Sequence, residues 1–165
     1  MNIRIVPFKD EYKDDFVELT KMWLNEYFWI EPCDEELFAD PAAAYIETGG
    51  DILVALDVDN NAVAGVCALV FHAQENNWEM SKLGVYPQYR HNGIAERLVD
   101  ATIEIAKSKG VEKLFLDTSI RLEAAVRLYR RKGFVDVPLT HSHYQRTDMQ
   151  MMKVLTEQSD EHRVL

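Results

Sequence analysis

Cysteine is scarce: Cys33 and Cys67 are the only two in 165 residues. Two cysteines make no disulfide framework. Cys67 lies in an apolar stretch and reads as core. Cys33 stands beside Asp34, Glu35 and Glu36, whose negative charge raises a thiol pKa rather than activating it, so no cysteine nucleophile is expected. Long apolar runs are missing as well. The longest, Ala62 to Phe71, is too short to span a bilayer. Asn2, Arg4, Lys9 and Asp10 interrupt the N-terminus, which does not read as a signal peptide. A cytoplasmic protein with no membrane partner is therefore expected. Positive charge is in short supply, with 18 Lys and Arg against 28 Asp and Glu and a formal net charge of −10. Such a chain is a poor match for nucleic-acid phosphates, and no nucleic-acid partner is expected. His141 and His143 sit two apart near the last expected strand, but no carboxylate or cysteine cluster joins them, so no metal site is expected. There are no internal repeats and no low-complexity segments.

What the chain does have is unevenly placed. Residues 1–80 carry four Lys and Arg against seventeen Asp and Glu, whereas residues 81–165 carry fourteen against eleven. That split suits an anionic cofactor on one side and a cationic co-substrate on the other; ordinary solubilising charge explains it equally well. With 47% hydrophobic residues, the chain reads as one globular domain over residues 1–155 and a polar tail over 156–165.

The most informative stretch is Glu79 to Gly110. Glu79 to Tyr86 read as a strand with Met80, Leu83 and Val85 as apolar positions, stopped by Pro87. Arg90-His91-Asn92-Gly93-Ile94-Ala95 then opens a helix whose apolar residues Ile94, Leu98, Ala101, Ile105 and Ala106 follow a 3.6-residue period. Gly110 sits where a C-terminal capping glycine belongs. The first N–H groups of a helix lack intrahelical partners and lie at the positive end of its dipole, so a small-residue turn here suits a phosphate, with Arg90 adding a charged contact. An ordinary helix start accounts for the same residues. Gly84, on the strand leading into that turn, marks either a bulge or a close backbone approach.

Around this core the order reads β-α-α-β-β-β-α-β-α-β-β. Ile3 to Val6 form a first strand, and Asp10 to Phe28 a helix with Phe16, Leu19, Trp23 and Tyr27 on one face. Two short helices broken by Pro41 fill Asp34 to Thr48. Asp51 to Asp57 and Ala62 to Gln74 are strands joined by a turn-rich loop. Leu114 to Leu116 form a buried strand, and Leu122, Ala125, Val126 and Tyr129 lie on a helix ending at Gly133-Phe134. Phe134 to Val137 and Tyr144 to Leu155 complete the strands. Periodicity alone supports an α/β or α+β class, a mixed sheet flanked by helices.

Arg90-x-x-Gly93-x-Ala95 after an apolar strand, followed by Ala125-x-x-Leu128-Tyr129-x-x-x-Gly133-Phe134, resembles the GNAT superfamily of acetyl-CoA-dependent N-acetyltransferases. The motifs lie within Glu79 to Val137, and the element order extends the resemblance over residues 1–155. It implies a GNAT-like fold with a central mixed sheet and acetyl-CoA as co-substrate. The backbone of Leu83, Gly84 and Val85 would pair with pantetheine, and Arg90, His91, Asn92, Gly93, Ile94 and Ala95 would hold the pyrophosphate. Glu79 falls where many members carry a catalytic glutamate, and Tyr129 where a tyrosine faces the CoA sulfur. The aromatic patch Trp23, Tyr27 and Trp29 lies in the region that covers the acceptor, although core packing also explains it. Two positions depart from the family pattern: His91 stands where glycine is common, and Leu122 where many members have an asparagine that contacts the cofactor. Relatives often form homodimers.

Acetyl transfer to an amine makes three chemical demands. The amine must lose a proton, since a free alkylamine has a pKa of about 10.4. Charge on the thioester oxygen needs a donor, for which a backbone N–H near Gly84 and Val85 is the candidate. The departing thiolate needs a proton or a hydrogen bond. Glu79 as base and Tyr129 as acid meet the first and third. Arg127, Arg130, Arg131 and Lys132 crowd the end of the second motif helix, where the helix dipole explains them better than a CoA phosphate does. The expected activity is direct acetyl transfer to a primary amine of a small cationic molecule, in a ternary complex. A protein or peptide amine is the other acceptor, and a non-catalytic acyl-CoA-binding module the other class. A nucleotide-binding domain lacks its lysine and glycine fingerprints here.

Overall fold

The computed structural model describes residues 1–139 and 147–156, without the side chain of Tyr27. His141, His143, the first residues expected in the last strand and most of the polar tail lie outside the described residues. The elements are β1 (Ile3–Pro7), α1 (Lys13–Tyr27), α2 (Pro32–Ala39), β2 (Asp51–Asp57), β3 (Ala62–His72), β4 (Asn77–Val85), α3 (Ile94–Ser108), β5 (Lys113–Thr118), α4 (Glu123–Arg131), β6 (Val135–Val137) and β7 (Met149–Val154). Pro41 separates α2 from a single π-helical turn, Ala42–Ile46, as its fixed φ and missing N–H dictate. Helix α3 opens at Ile94 rather than at Arg90, because Pro87–Tyr89 wind into a 3-10 turn first.

Seven strands form one sheet in the order β1-β2-β3-β4-β5-β7-β6. Every neighbouring pair is antiparallel except β4 and β5. That parallel pairing requires a crossover, which α3 supplies. It is short: only Trp78 with Leu114 and Glu79 with Phe115 are paired. Beyond Glu79, β4 has no strand on that side among the described residues.

Each face of the sheet has its own core. On one, α3 and α4 cover a cluster that includes Cys67, Met80, Leu98, Val99, Leu114, Leu116 and Phe134. On the other, α1, α2 and the π turn cover Phe16, Leu24, Ile52, Val54, Val66 and Ala68. This explains the composition of β3, whose residues Val63 to Val70 are all buried. A strand covered on both faces reads as a continuous apolar run rather than an alternation. The buried stripe of α3 is Ile94, Leu98, Val99, Thr102, Ile103 and Ala106, and the expected Ala101 and Ile105 lie at its half-buried edge.

Strand β4 is irregular where the site will be. Register runs from Ala68 opposite Ser81 to Val66 opposite Gly84, so Lys82 and Leu83 together face Cys67 in a bulge. Lys82 takes a positive φ of 58° there, unusual for a residue with a side chain. Gly84 is thus next to the bulge rather than in it. The glycine demanded by a close approach is Gly65 across the ladder: a Cβ there would lie 2.8 Å from the Gly84 carbonyl oxygen, whereas one at Gly84 would meet only Leu19 Cδ2 at 3.8 Å.

Lys82 also anchors α2. Its ammonium lies 3.6 Å from Asp34 Oδ1, with side chains only 4% and 0% exposed. Asp34 is the N3 residue of α2 and accepts a 2.8 Å hydrogen bond from the Glu31 N–H, closing a capping box with Glu31. The same carboxylate thus caps the helix and ties it to β4.

Two stability outcomes follow from this packing. Gly65→Ala should destabilise the fold by about 1–3 kcal/mol, since a backbone carbonyl cannot move aside cheaply, while Gly84→Ala should shift the urea midpoint little. Asp34→Ala leaves a buried ammonium without its carboxylate and should cost about 3 kcal/mol or more in urea unfolding.

Candidate active site

The separation of β4 from β5 opens a pocket at the centre of the sheet. Its cavity volume is about 70 Å³, and it is open to solvent on one side. Strand β4 contributes Glu79 to Gly84, β5 and the turn after it contribute Asp117, Thr118 and Ser119, and α4 contributes Tyr129. Helix α1 closes the other side with Leu19, Thr20 and Trp23, followed by Phe28.

Glu79 is the third residue of β4 rather than its first, and at 5% exposure it is no surface carboxylate. Its side chain accepts a 2.7 Å hydrogen bond at Oε1 from His72 Nε2. Sequence reasoning missed His72. The signal was available in the hairpin: Val70 pairs with Glu79, and His72, two residues further along β3, shares that face at diagonal distance. The His72 imidazole is raised above its ordinary value. Burial, the largest influence, pulls it down, but the Glu79 bond and charge, Glu75 and Asp117 outweigh it.

Tyr129 lies on the buried face of α4 and is 9% exposed. Its ring meets Phe134 edge-on at 6.0 Å. Burial, with the nearby Cys67, pushes its hydroxyl well above the usual phenol value, which favours the protonated form, able to donate a hydrogen bond. Burial pushes the Cys67 thiol up to about 12, which makes it inert core, while Cys33 is exposed.

The aromatic wall is composed differently from the sequence expectation. Trp23 lines the pocket with Phe28, their centroids 5.2 Å apart. Trp29 is 50% exposed and does not line it; it lies beyond Phe28, the C-cap of α1, where the backbone has left helical geometry. The side chain of Tyr27 is outside the described residues. Leu122 is at the N-cap of α4, lines the pocket and presents no polar group. Its helix entry is organised instead by Asp148, which accepts from the Ser119 hydroxyl and the Ile120 N–H, both at 3.0 Å.

At the far end of β4, the turn into α3 has the shape of an anion seat. Gly93 occupies the N-cap position with φ 73° and, among the described residues, no side-chain cap bond is made there. An uncapped N-terminus of a fifteen-residue helix leaves those donors for a ligand. The Asn92 amide donates to the Tyr89 and Arg90 carbonyls at 3.0 and 2.9 Å. Tyr89 in turn donates to Asp57 Oδ2 at 2.8 Å. The Asn60 amide and the Tyr89 hydroxyl hold the Asp57 carboxyl below its usual range. His91 takes a φ of 65°, a conformation that glycine adopts without strain, which gives a physical reason for glycine at this position of the motif. Arg90 is partly exposed, with its nearest ion-pair partner, Glu26, at 3.9 Å.

The basic cluster on α4 has partners in the fold. Lys132 bridges Glu96 at 2.7 Å and Asp100 at 3.0 Å, both on α3, and Arg130 pairs with Asp136 at 3.2 Å. Lys132 also holds the Glu96 carboxyl low.

The model of the acetyltransferase (GNAT) family matches residues 6–134. The chain is 27% identical over 143 residues to N-alpha-acetyltransferase 30 of Schizosaccharomyces pombe, covering 86% of this chain and 90% of that one. It is 33% identical over 124 residues to an N-acetyltransferase from the same organism, covering 73% and 75%. An acetyltransferase of the GNAT family from Staphylococcus aureus superposes with a TM-score of 0.83 at 19% identity over 94% of this chain and 100% of that one. A phosphinothricin acetyltransferase from Sinorhizobium meliloti, solved in complex with AcCoA, superposes with a TM-score of 0.77 at 19% identity, covering 95% and 90%. The chain belongs to the acetyltransferase (GNAT) family and is an N-acetyltransferase.

Proposed function

We propose that this chain transfers the acetyl group of acetyl-CoA directly to a primary amine, with Glu79 as base and Tyr129 as donor to the departing sulfur. The observation that carries this reading is that Glu79 from β4 and Tyr129 from α4 line one pocket. The unpaired edge of β4 leads from that pocket to an uncapped helix N-terminus. The backbone of Leu83, Gly84 and Val85 would hold the pantetheine arm, and the turn Arg90 to Ala95 the pyrophosphate. This donor set fits a long, doubly charged thioester: an extended amide-bearing arm needs a strand edge, and a diphosphate needs N–H groups. Acetyl-CoA supplies an acyl carbon already activated as a thioester.

The residues of the chain then have defined tasks. Glu79 takes a proton from the bound ammonium, the N–H bond breaking as an O–H bond forms. The freed lone pair attacks the acyl carbon, a backbone N–H near Gly84 and Val85 stabilises the oxyanion, and the newly bonded nitrogen gives up its second excess proton to solvent. As the C–S bond breaks, the Tyr129 hydroxyl donates a hydrogen bond to the sulfur. A thiol is a stronger acid than this buried phenol, so Tyr129 stabilises the thiolate, whose final proton comes from solvent. No enzyme-bound acyl group is required.

A small cationic acceptor is favoured by the acidic first half of the chain and by Asp117, a second carboxylate lining the pocket beside Glu79. A peptide N-terminus is the other reading. It is supported by the 27% identity to N-alpha-acetyltransferase 30 over nearly its whole length.

Thiol release from acetyl-CoA against spermidine, amino acids, an aminosugar and short peptides with free N-termini tests both readings. Release with spermidine and not with peptides supports the first, and the reverse pattern the second. Glu79→Gln should lower kcat about a hundredfold, and Tyr129→Phe about tenfold or more. In both variants the acetyl-CoA Kd, read by calorimetry, should stay within about twofold.

A further inference from the structure

His72 lies on the sheet face that carries Glu79 but not among the residues lining the pocket. It therefore acts on the pocket only through the carboxylate. Glu79 is 5% exposed, and its one hydrogen bond among the described residues comes from His72, at 2.7 Å to Oε1. A buried carboxylate on a flexible side chain needs a donor both to offset its desolvation and to fix its rotamer. We infer that His72 is a positioning residue for Glu79: as the neutral imidazole, its Nε2–H holds Oε1 and leaves Oε2 facing the amine. This rests on the reading of Glu79 as the base.

The inference has a consequence for pH. Neutral His72 donates to the carboxylate without cancelling its charge. Doubly protonated His72 makes the same contact an ion pair, and a nearby cation lowers the affinity of a carboxylate for a proton. The working form therefore has His72 neutral, and acid inactivates the pair by charging the imidazole. Three carboxylates face His72 from the elements around it: Glu79 on β4, Glu75 in the turn between β3 and β4, and Asp117 on β5. They favour the imidazolium and offset the burial that opposes it, so the loss begins above the ordinary histidine range near 6.5. As the pH rises through the raised value the imidazole loses its proton and the base is released.

Two experiments on the full chain test this. In the first, NMR of ¹⁵N-histidine-labelled protein follows the His72 imidazole against pH. Its midpoint should lie above 6.5 in the native chain and fall in Glu79→Gln; the same midpoint in both overturns the pairing. In the second, kcat is measured against pH at saturating acetyl-CoA and saturating spermidine or tetrapeptide, whichever amine gives thiol release. His72→Ala should lower kcat about ten- to a hundredfold with the acetyl-CoA KM unchanged. His72→Gln, whose amide still donates to Oε1 but cannot titrate, should restore kcat to within about threefold and lose the acid limb assigned to His72. Melting curves check that both variants fold. A wild-type kcat in His72→Ala, or an unchanged acid limb in His72→Gln, overturns the inference while leaving Glu79 as base. Full turnover by Glu79→Gln, or no thiol release with either amine, overturns the base reading and this inference with it.

Discussion

The site depends on one failure of pairing. Strands β4 and β5 run parallel and should hydrogen-bond along their length, yet they do so only at Trp78 with Leu114 and Glu79 with Phe115. Immediately beyond, Lys82 and Leu83 bulge against Cys67, and a bulge increases local twist and bends its strand. The bulge lies where β4 and β5 have already parted. An unsatisfied strand edge in a protein interior is costly, so the gap is most stable when another chain of amides fills it. The pocket, the pairing edge and the approach to α3 all come from this divergence.

The bulge is itself held by charge. Lys82, in a left-handed conformation that lysine rarely adopts, reaches Asp34 in the interior. Asp34 belongs to the capping box that starts α2. The strand irregularity, the placement of α2 and one wall of the pocket are thus a single linked arrangement. A polar cluster of this kind tolerates no partial loss, because a buried charge without its partner costs more than the pair contributes. On the other face of the sheet, Lys132 joins α4 to α3 through Glu96 and Asp100. That fixes α4, and with it Tyr129, relative to the start of α3.

In the proposed reading, acid–base chemistry is divided between the two sides of the gap. Glu79, on β4, is buried but paired with an imidazole that it helps to hold above its ordinary value. Tyr129, on α4, is buried among apolar groups, which favours its protonated form. The surroundings alone separate a proton acceptor from a hydrogen-bond donor, and neither residue needs the other as a partner.

Much of this was legible in the chain. The 3.6-residue periods placed α1, α3 and α4, and the spacing of Gly93, Ala95, Tyr129, Gly133 and Phe134 pointed to the family, because helix starts and helix faces are local properties written in consecutive residues. The element order followed from the same local signals. What the sequence did not carry was set by contacts between distant segments. His72 meets Glu79 only through the register of a hairpin, and Lys82 meets Asp34 only after α2 folds over the sheet. Gly65, rather than Gly84, is the glycine that the close approach requires, because the clash is with a strand nineteen residues away. Trp29 leaves the pocket and Phe28 enters it because α1 ends one residue before Phe28, a helix end set by packing. Sequence by itself determined which segments are helix and strand and which family the chain belongs to. Tertiary structure decided which side chains face one another, because register, bulges and burial are properties of pairs of segments and not of either alone.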